Sequence, residues 1–169
     1  DVDVVVIGGN TRAVAAAVAA KESGASVFLA AQRPYLGEDM CATYQLWLAE
    51  DETPATPLAK AVFAKDVPSP MHVKRVLDEA LLEAGVDFLY GCYVTDVLRD
   101  PEGNLAGIVM ANRSGRQAVR AKVIIDATPR GSAARIAGAE FAAYPAGRQT
   151  FKRIVVGGEP NPEAKVQPV

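Results

Sequence analysis

The feature that most constrains this chain is the run Asp3-Val-Val-Val-Ile-Gly-Gly-Asn-Thr-Arg-Ala13, which continues into Val14-Ala-Ala-Ala-Val-Ala-Ala20. A stretch of Val and Ile that does not alternate reads as a strand buried on both faces. Two glycines and an Ala-rich helical pattern follow it, and that is how a parallel strand turns into a helix at a nucleotide site. The pattern G-x-G-x-x-G asks for glycine at three positions, where this chain has Gly8, Asn10 and Ala13, with Gly9 between the first two. Ala suits the last place, where helix and strand pack closely. The middle place matters more, because there the backbone approaches a pyrophosphate and a Cβ crowds it. Asn is the side-chain-bearing residue that best tolerates left-handed backbone angles. The turn is therefore expected to form.

With 169 residues, the chain fits one domain burying roughly 70% of its unfolded surface. Half the residues are apolar, mean hydropathy is slightly positive and no apolar run is long enough for a transmembrane span. A formal net charge of -2 offers no electrostatic reason to expect nucleic acid or an anionic membrane. Cys41 and Cys92 do not make a disulfide framework. A single histidine, His72, and no cysteine pair at ligand spacing argue against structural zinc. No signal sequence precedes the first strand, so a cytoplasmic setting is the default expectation, with a removed export signal as the alternative.

Taken in order, Val2 to Ile7 is the first strand, and about Thr11 to Ser23 a helix with Gly24 as its C-terminal cap. Ser26 to Ala31 completes a β-α-β unit. Gln32 to Gly37 reads as a loop, and Glu38 to Leu48 holds a short helical stretch. Glu50-Asp-Glu-Thr-Pro54 is a solvated turn. Thr56-Pro57 starts a helix to about Lys65, and Ser69-Pro70 a longer one. Val73, Val76, Leu77, Ala80, Leu81 and Ala84 give the longer helix one apolar face, and Gly85 ends it. Lys74–Asp78 and Arg75–Glu79 are exposed pairs four apart, and His72 is read as exposed or capping. Val86 to Tyr90 is a third parallel strand. Hairpins follow: Tyr93 to Arg99, Leu105 to Asn112 and Gln117 to Ala121, with turns at 100–104 and 113–116. Lys122 to Thr128 reads as a separate buried strand, Ser132 to Ala137 as one or two helical turns, and Thr150 to Val156 as a last strand before Glu159-Pro-Asn-Pro162.

This order resembles the FAD-dependent oxidoreductases of the glutathione-reductase-like superfamily, in particular the group with D-V-V-V-x-G-G-G near the start and I-D-A-T-G after a meander. The resemblance implies an α/β fold, a Rossmann-like three-layer FAD/NAD(P)-binding domain with a parallel sheet and an antiparallel β-meander. It covers residues 1–140, leaving 141–169 as a tail that starts a following segment or binds a partner. In such proteins the first β-α turn holds the FAD pyrophosphate, here Gly8, Gly9, Asn10, Thr11, Arg12 and Ala13. An acidic residue ending the second strand holds the adenosine ribose. Ala31 stands in its place, with Gln32 and Arg33 after it. The L-G-G loop corresponds to Leu36 and Gly37, with Glu38 replacing the second glycine. The adenine-contacting strand contributes Val94, and the closing A-T-G turn contributes Ala127 and Thr128, with Pro129 where glycine is expected.

If FAD is bound, it does the redox work. Gln32 offers a neutral amide in place of the missing acid, and Arg12 offers a charge for phosphate. Cys41 reads as a buried thiol, Glu38 and Asp39 as loop carboxylates, and Tyr44 and Trp47 as packing residues. No catalytic residue stands out. Family members continue into a substrate domain, so the sequence reads as a fragment, a split subunit or a reduced homologue. Its Leu46-Trp-Leu48 region is expected to seek a partner, either a second copy or the remainder of a longer chain. Two other readings compete: a cofactor-free module serving assembly, and an NADP site using Arg33. On the motif alone, Asn10→Gly and Ala31→Glu together are expected to tighten FAD at least about tenfold.

Overall fold

The computed structural model describes residues 1–49, 51–64, 67–151 and 154–157. The expected helix end at Lys65, the start of the 50–54 turn, part of the 150–156 segment and the Pro-rich 159–162 stretch lie outside them.

The chain opens with β1 (Val2–Ile7), α1 (Thr11–Glu22) and β2 (Val27–Ala30). β1 and β2 pair in parallel from Val4 opposite Val27 to Ile7 opposite Ala30. The short α2 (Glu38–Cys41) and α3 (Pro57–Val62) lead to α4 (Pro70–Ala84) and β3 (Asp87–Leu89), which adds in parallel to β2. The meander is β4 (Tyr93–Arg99), β5 (Leu105–Asn112) and β6 (Gly115–Asp126), and α5 (Ser132–Ile136) follows it. The strand order is β3-β2-β1-β6-β5-β4.

Alternate residues of β1 serve two cores, which sets the three layers. Val4 and Val6 pack with Val14 and Ala17 of α1 and with Val73, Leu77 and Leu81 of α4. Val5 and Ile7 pack on the other face with Ile108 and Met110 of β5 and Ala133 of α5. A strand buried on both sides has no polar face to show, so its sequence does not alternate. The small residues of α1 bring it close to the sheet. α4 starts at Ser69, whose hydroxyl accepts from the His72 N–H, and ends at Gly85 in the left-handed region.

Several expectations change. The strands expected at Gln117 to Ala121 and Lys122 to Thr128 are one continuous β6. Its character changes midway because its partner does: residues up to Arg120 pair antiparallel with β5, and Ala121 onward pair parallel with β1. Its second half is not fully buried, since Val123 is 50% exposed. The Lys74–Asp78 pair does not form. Asp78 accepts instead from the Tyr90 hydroxyl, and the Lys74 ammonium sits 4.1 Å from the Tyr35 ring centre. Arg75–Glu79 does form, at 2.9 Å. His72 ties the helices together, its Nε2 3.0 Å from the Ala61 carbonyl near the end of α3. Among the described residues of 150–156 there is no strand. Leu46 is buried in the helical-layer core and Trp47 packs against it, so this segment is not the free surface expected. Tyr44 is half exposed with φ 58°, a turn residue rather than a packing one. No helix among the described residues is long and apolar enough to cross a membrane.

Candidate dinucleotide site

Three loops meet at the start of α1. The first is the β1–α1 turn itself. Gly8 holds φ 135°, and a Cβ there would stand 3.3 Å from the Ala127 carbonyl group. Ala13 is fully buried, its methyl 3.4 Å from that same Cβ position, so the small third residue of the motif serves close packing.

Asn10 is not left-handed. Its φ of -86° and ψ of 172° are extended, and it is the N-cap of α1. The fully buried side chain accepts from the Ala13 N–H at 2.8 Å and donates from Nδ2 to the Ala127 carbonyl. An Asn in this place satisfies one of the helix's unpaired N–H groups. It also fastens the first turn to the turn after β6.

The second loop is Leu36-Gly37. Leu36 is fully buried, and the Gly37 N–H donates to the Gly9 carbonyl at 2.7 Å, docking this loop on the first turn. Gly37 has φ 76°, and a Cβ on it would fall 2.9 Å from side-chain carbons of both Val73 and Leu77. Just beyond it, Asp39 reaches the positive end of α1. Its carboxylate accepts from the Thr11 N–H at 3.1 Å and from the Thr11 hydroxyl at 2.6 Å.

The third loop follows β6. The Asp126 carboxylate accepts from the N–H and hydroxyl of Thr128, at 2.9 and 2.7 Å, and from the Ala134 N–H at 2.9 Å. The Thr128 hydroxyl in turn accepts from the Ser132 N–H at 2.8 Å. Asp126 thus holds the Ala127-Thr128 turn in shape and caps α5. Asp39 and Asp126 were not among the expected site residues. The only signal for them is their position, one in the loop after Gly37 and one inside the Asp-Ala-Thr run.

The remaining expected residues surround this junction. Ala31 is fully buried, with its N–H donating to the Leu89 carbonyl and its carbonyl accepting from the Cys92 N–H, both at 2.9 Å. Gln32 is half-buried at the strand's end. The Arg33 guanidinium is exposed and lies 3.5 Å from the Glu38 carboxylate. Val94 sits on the edge strand β4, opposite Met110, two residues after the Cys92 bonded to Ala31. Arg12 is exposed. With Thr11, Asp39, Met40 and Trp47 it lines a cavity of about 410 Å³ between α1, α2 and α3.

Cys41 is buried, its thiol directed at the Pro70 carbonyl at 3.5 Å. Burial pushes its pKa up, and Asp39 adds to this while Lys74 opposes it. Alkylation of Cys41 in the folded chain should therefore be slow at neutral pH and accelerate only above the usual thiol range. Rates against pH, followed by mass spectrometry and compared with the unfolded chain, check this. Equal rates in both states would contradict it.

The sequence of residues 3–155 matches the family of FAD dependent oxidoreductases, nearly the whole chain. The chain belongs to that family. Its α/β fold, with a mostly parallel sheet carrying an antiparallel meander, is a Rossmann-like three-layer arrangement in keeping with that family. Among solved structures it is similar to a geranylgeranyl bacteriochlorophyll reductase-like protein from Thermoplasma acidophilum, at 17% identity and TM-score 0.60, covering 82% of this chain and 42% of that one. It is likewise similar to THI4 from Thermovibrio ammonificans, at 17% identity and TM-score 0.61, covering 75% and 57%. For BexE, studied for oxidation during BE-7585A biosynthesis, the values are 16% and 0.63, covering 88% and 36%. At such identities the likeness concerns the fold. The chain spans about half the length of these relatives or less. No functionally curated protein sequence matches it.

For FAD, the scaffold of the family member fits better than its polar groups do. The close approach of backbone at Gly8 and the docking of Gly37 on Gly9 are those of a phosphate-facing turn. Yet the Thr11 and Ala13 N–H groups, which face such a phosphate, already donate to Asp39 and Asn10.

Proposed function

We propose that residues 1–140 bind FAD across the three-loop junction. The observation that carries this reading is the mutual fastening of the loops: Gly37 to Gly9, and Asn10 to Ala127. Three turns held at one helix start make a pre-formed cradle, and pre-formation lowers the ordering cost of binding.

Within it, Gly8, Gly9 and the first turn of α1 take the pyrophosphate, with the exposed Arg12 supplying the positive charge. Gln32 is the half-buried polar side chain at the end of β2, so it takes the ribose hydroxyls that a carboxylate usually grips. The backbone around Val94, on the free edge of β4, takes adenine. Leu36, Gly37, Ala127 and Thr128 shape the walls. When bound, FAD supplies the electron-transferring ring, while the protein orients it and excludes water.

The NADP reading is weaker, because Arg33 is engaged by Glu38, whose negative charge faces any 2′-phosphate. The assembly reading draws on the internally satisfied donors of α1. Both are tested together by denaturing protein from native material and chromatographing the supernatant. Released FAD supports the proposal. Released NADP, or no nucleotide together with failure to bind added FAD, overturns it.

Arg12→Ala should weaken FAD about tenfold, as loss of one charge-assisted phosphate contact. The effect should be larger at low salt, where an exposed charge is least screened. Fluorescence titrations at two ionic strengths measure it, and a salt-independent loss would point to packing instead.

A further inference from the structure

We propose that Asp39 occupies the phosphate position of the dinucleotide site, so that FAD binds by displacing it. The inference rests on the FAD reading above. Three of the first-turn donors of α1 that a phosphate could use are the Thr11 N–H, the Thr11 hydroxyl and the Ala13 N–H, beside the Arg12 N–H. Asp39 takes the first two through both carboxylate oxygens, and the Asn10 cap takes the third. An anion at the positive end of a twelve-residue helix makes the interaction a phosphate makes there. Two anions cannot share one N–H donor, and their repulsion is strong in a partly buried site.

Asp39 is also placed to move. It lies in the four-residue α2, which is joined to the rest of the cradle through Gly37 at one end and buried Cys41 at the other. The cavity on which Asp39, Arg12 and Thr11 border gives its side chain somewhere to go. Asp39 is thus an internal competitor that sets how tightly phosphate-bearing ligands are held.

The experiment compares the wild-type chain with Asp39→Asn, an isosteric change that keeps an acceptor for Thr11 and removes the charge. FAD affinity is expected to rise about tenfold, while riboflavin, which has no phosphate, changes little. An equal gain for both flavins, or no gain for FAD in a folded variant, overturns displacement. Binding of FAD by neither chain overturns the FAD reading itself, and displacement with it. A measurement on the wild type alone gives a second test should the variant not fold. The carboxylate carbon of Asp39, followed by carbon-13 NMR, should shift on saturation with FAD and by much less with riboflavin. An unshifted carboxylate on saturation with FAD means that Asp39 stays in place.

Discussion

Asn10→Asp should lower the stability of the chain by about 3 kcal/mol, a larger loss than Asn10→Gly causes. The substitution is nearly isosteric. It keeps the oxygen that accepts from the Ala13 N–H, and an acid at a helix N-cap is ordinarily welcome. The other half of the side chain decides the outcome. Where the Asn10 amide now donates to the Ala127 carbonyl, an aspartate places oxygen against oxygen in a fully buried site. Asn10→Gly loses the same bond and leaves the Ala127 carbonyl unpaired, which costs about 1–3 kcal/mol without burying a charge. For a chain of this size the aspartate should lower the melting temperature by roughly 6–12 °C. Thermal unfolding of the two variants checks the order. An aspartate variant as stable as the parent would show that Asn10 does not fasten the two turns.

Ala31→Glu is expected to have the largest effect of all. Its methyl lies 3.3 Å from where a Cβ on Gly9 would be, both of its backbone groups are bonded, and it has no exposed surface. A carboxylate built there starts from a fully buried position, and burying one costs several kcal/mol unless it is paired. Little soluble, folded protein should result, as read by yield and far-UV circular dichroism. Recovery of a folded variant with tighter FAD binding would contradict this, because a ribose acceptor would then be reachable from that strand end.

Both expectations rest on contacts between distant parts of the chain, and those contacts show where the sequence stops being legible. The β-α-β unit is readable because β1 is apolar on both faces and α1 is small on its packing side. Ser69-Pro70 and Gly85 bound α4 because caps and breakers act within a few residues. β4 and β5 are marked by their turns. Asn10 is different. Its residue type fits either a left-handed turn or an N-cap, and the bond that decides lies 117 positions away at Ala127. Asp39 meets Thr11 across 28 positions, so a carboxylate that reads as solvated in its own loop is the partner of a helix start. β6 reads as two strands because its neighbours change at Ala121, and residue types follow the neighbours rather than the strand. Local chemistry is written locally. The junction of three loops is not.

The central claim is that this junction is a built FAD site, restrained by its own carboxylate. Its most direct test is equilibrium titration of flavin-free protein with FAD, followed by flavin fluorescence, in the wild type and in Asp39→Asn. The expected result is saturable one-to-one binding in both, tighter in the variant, with no competition from NADP. Absence of saturable binding in two folded proteins would contradict it.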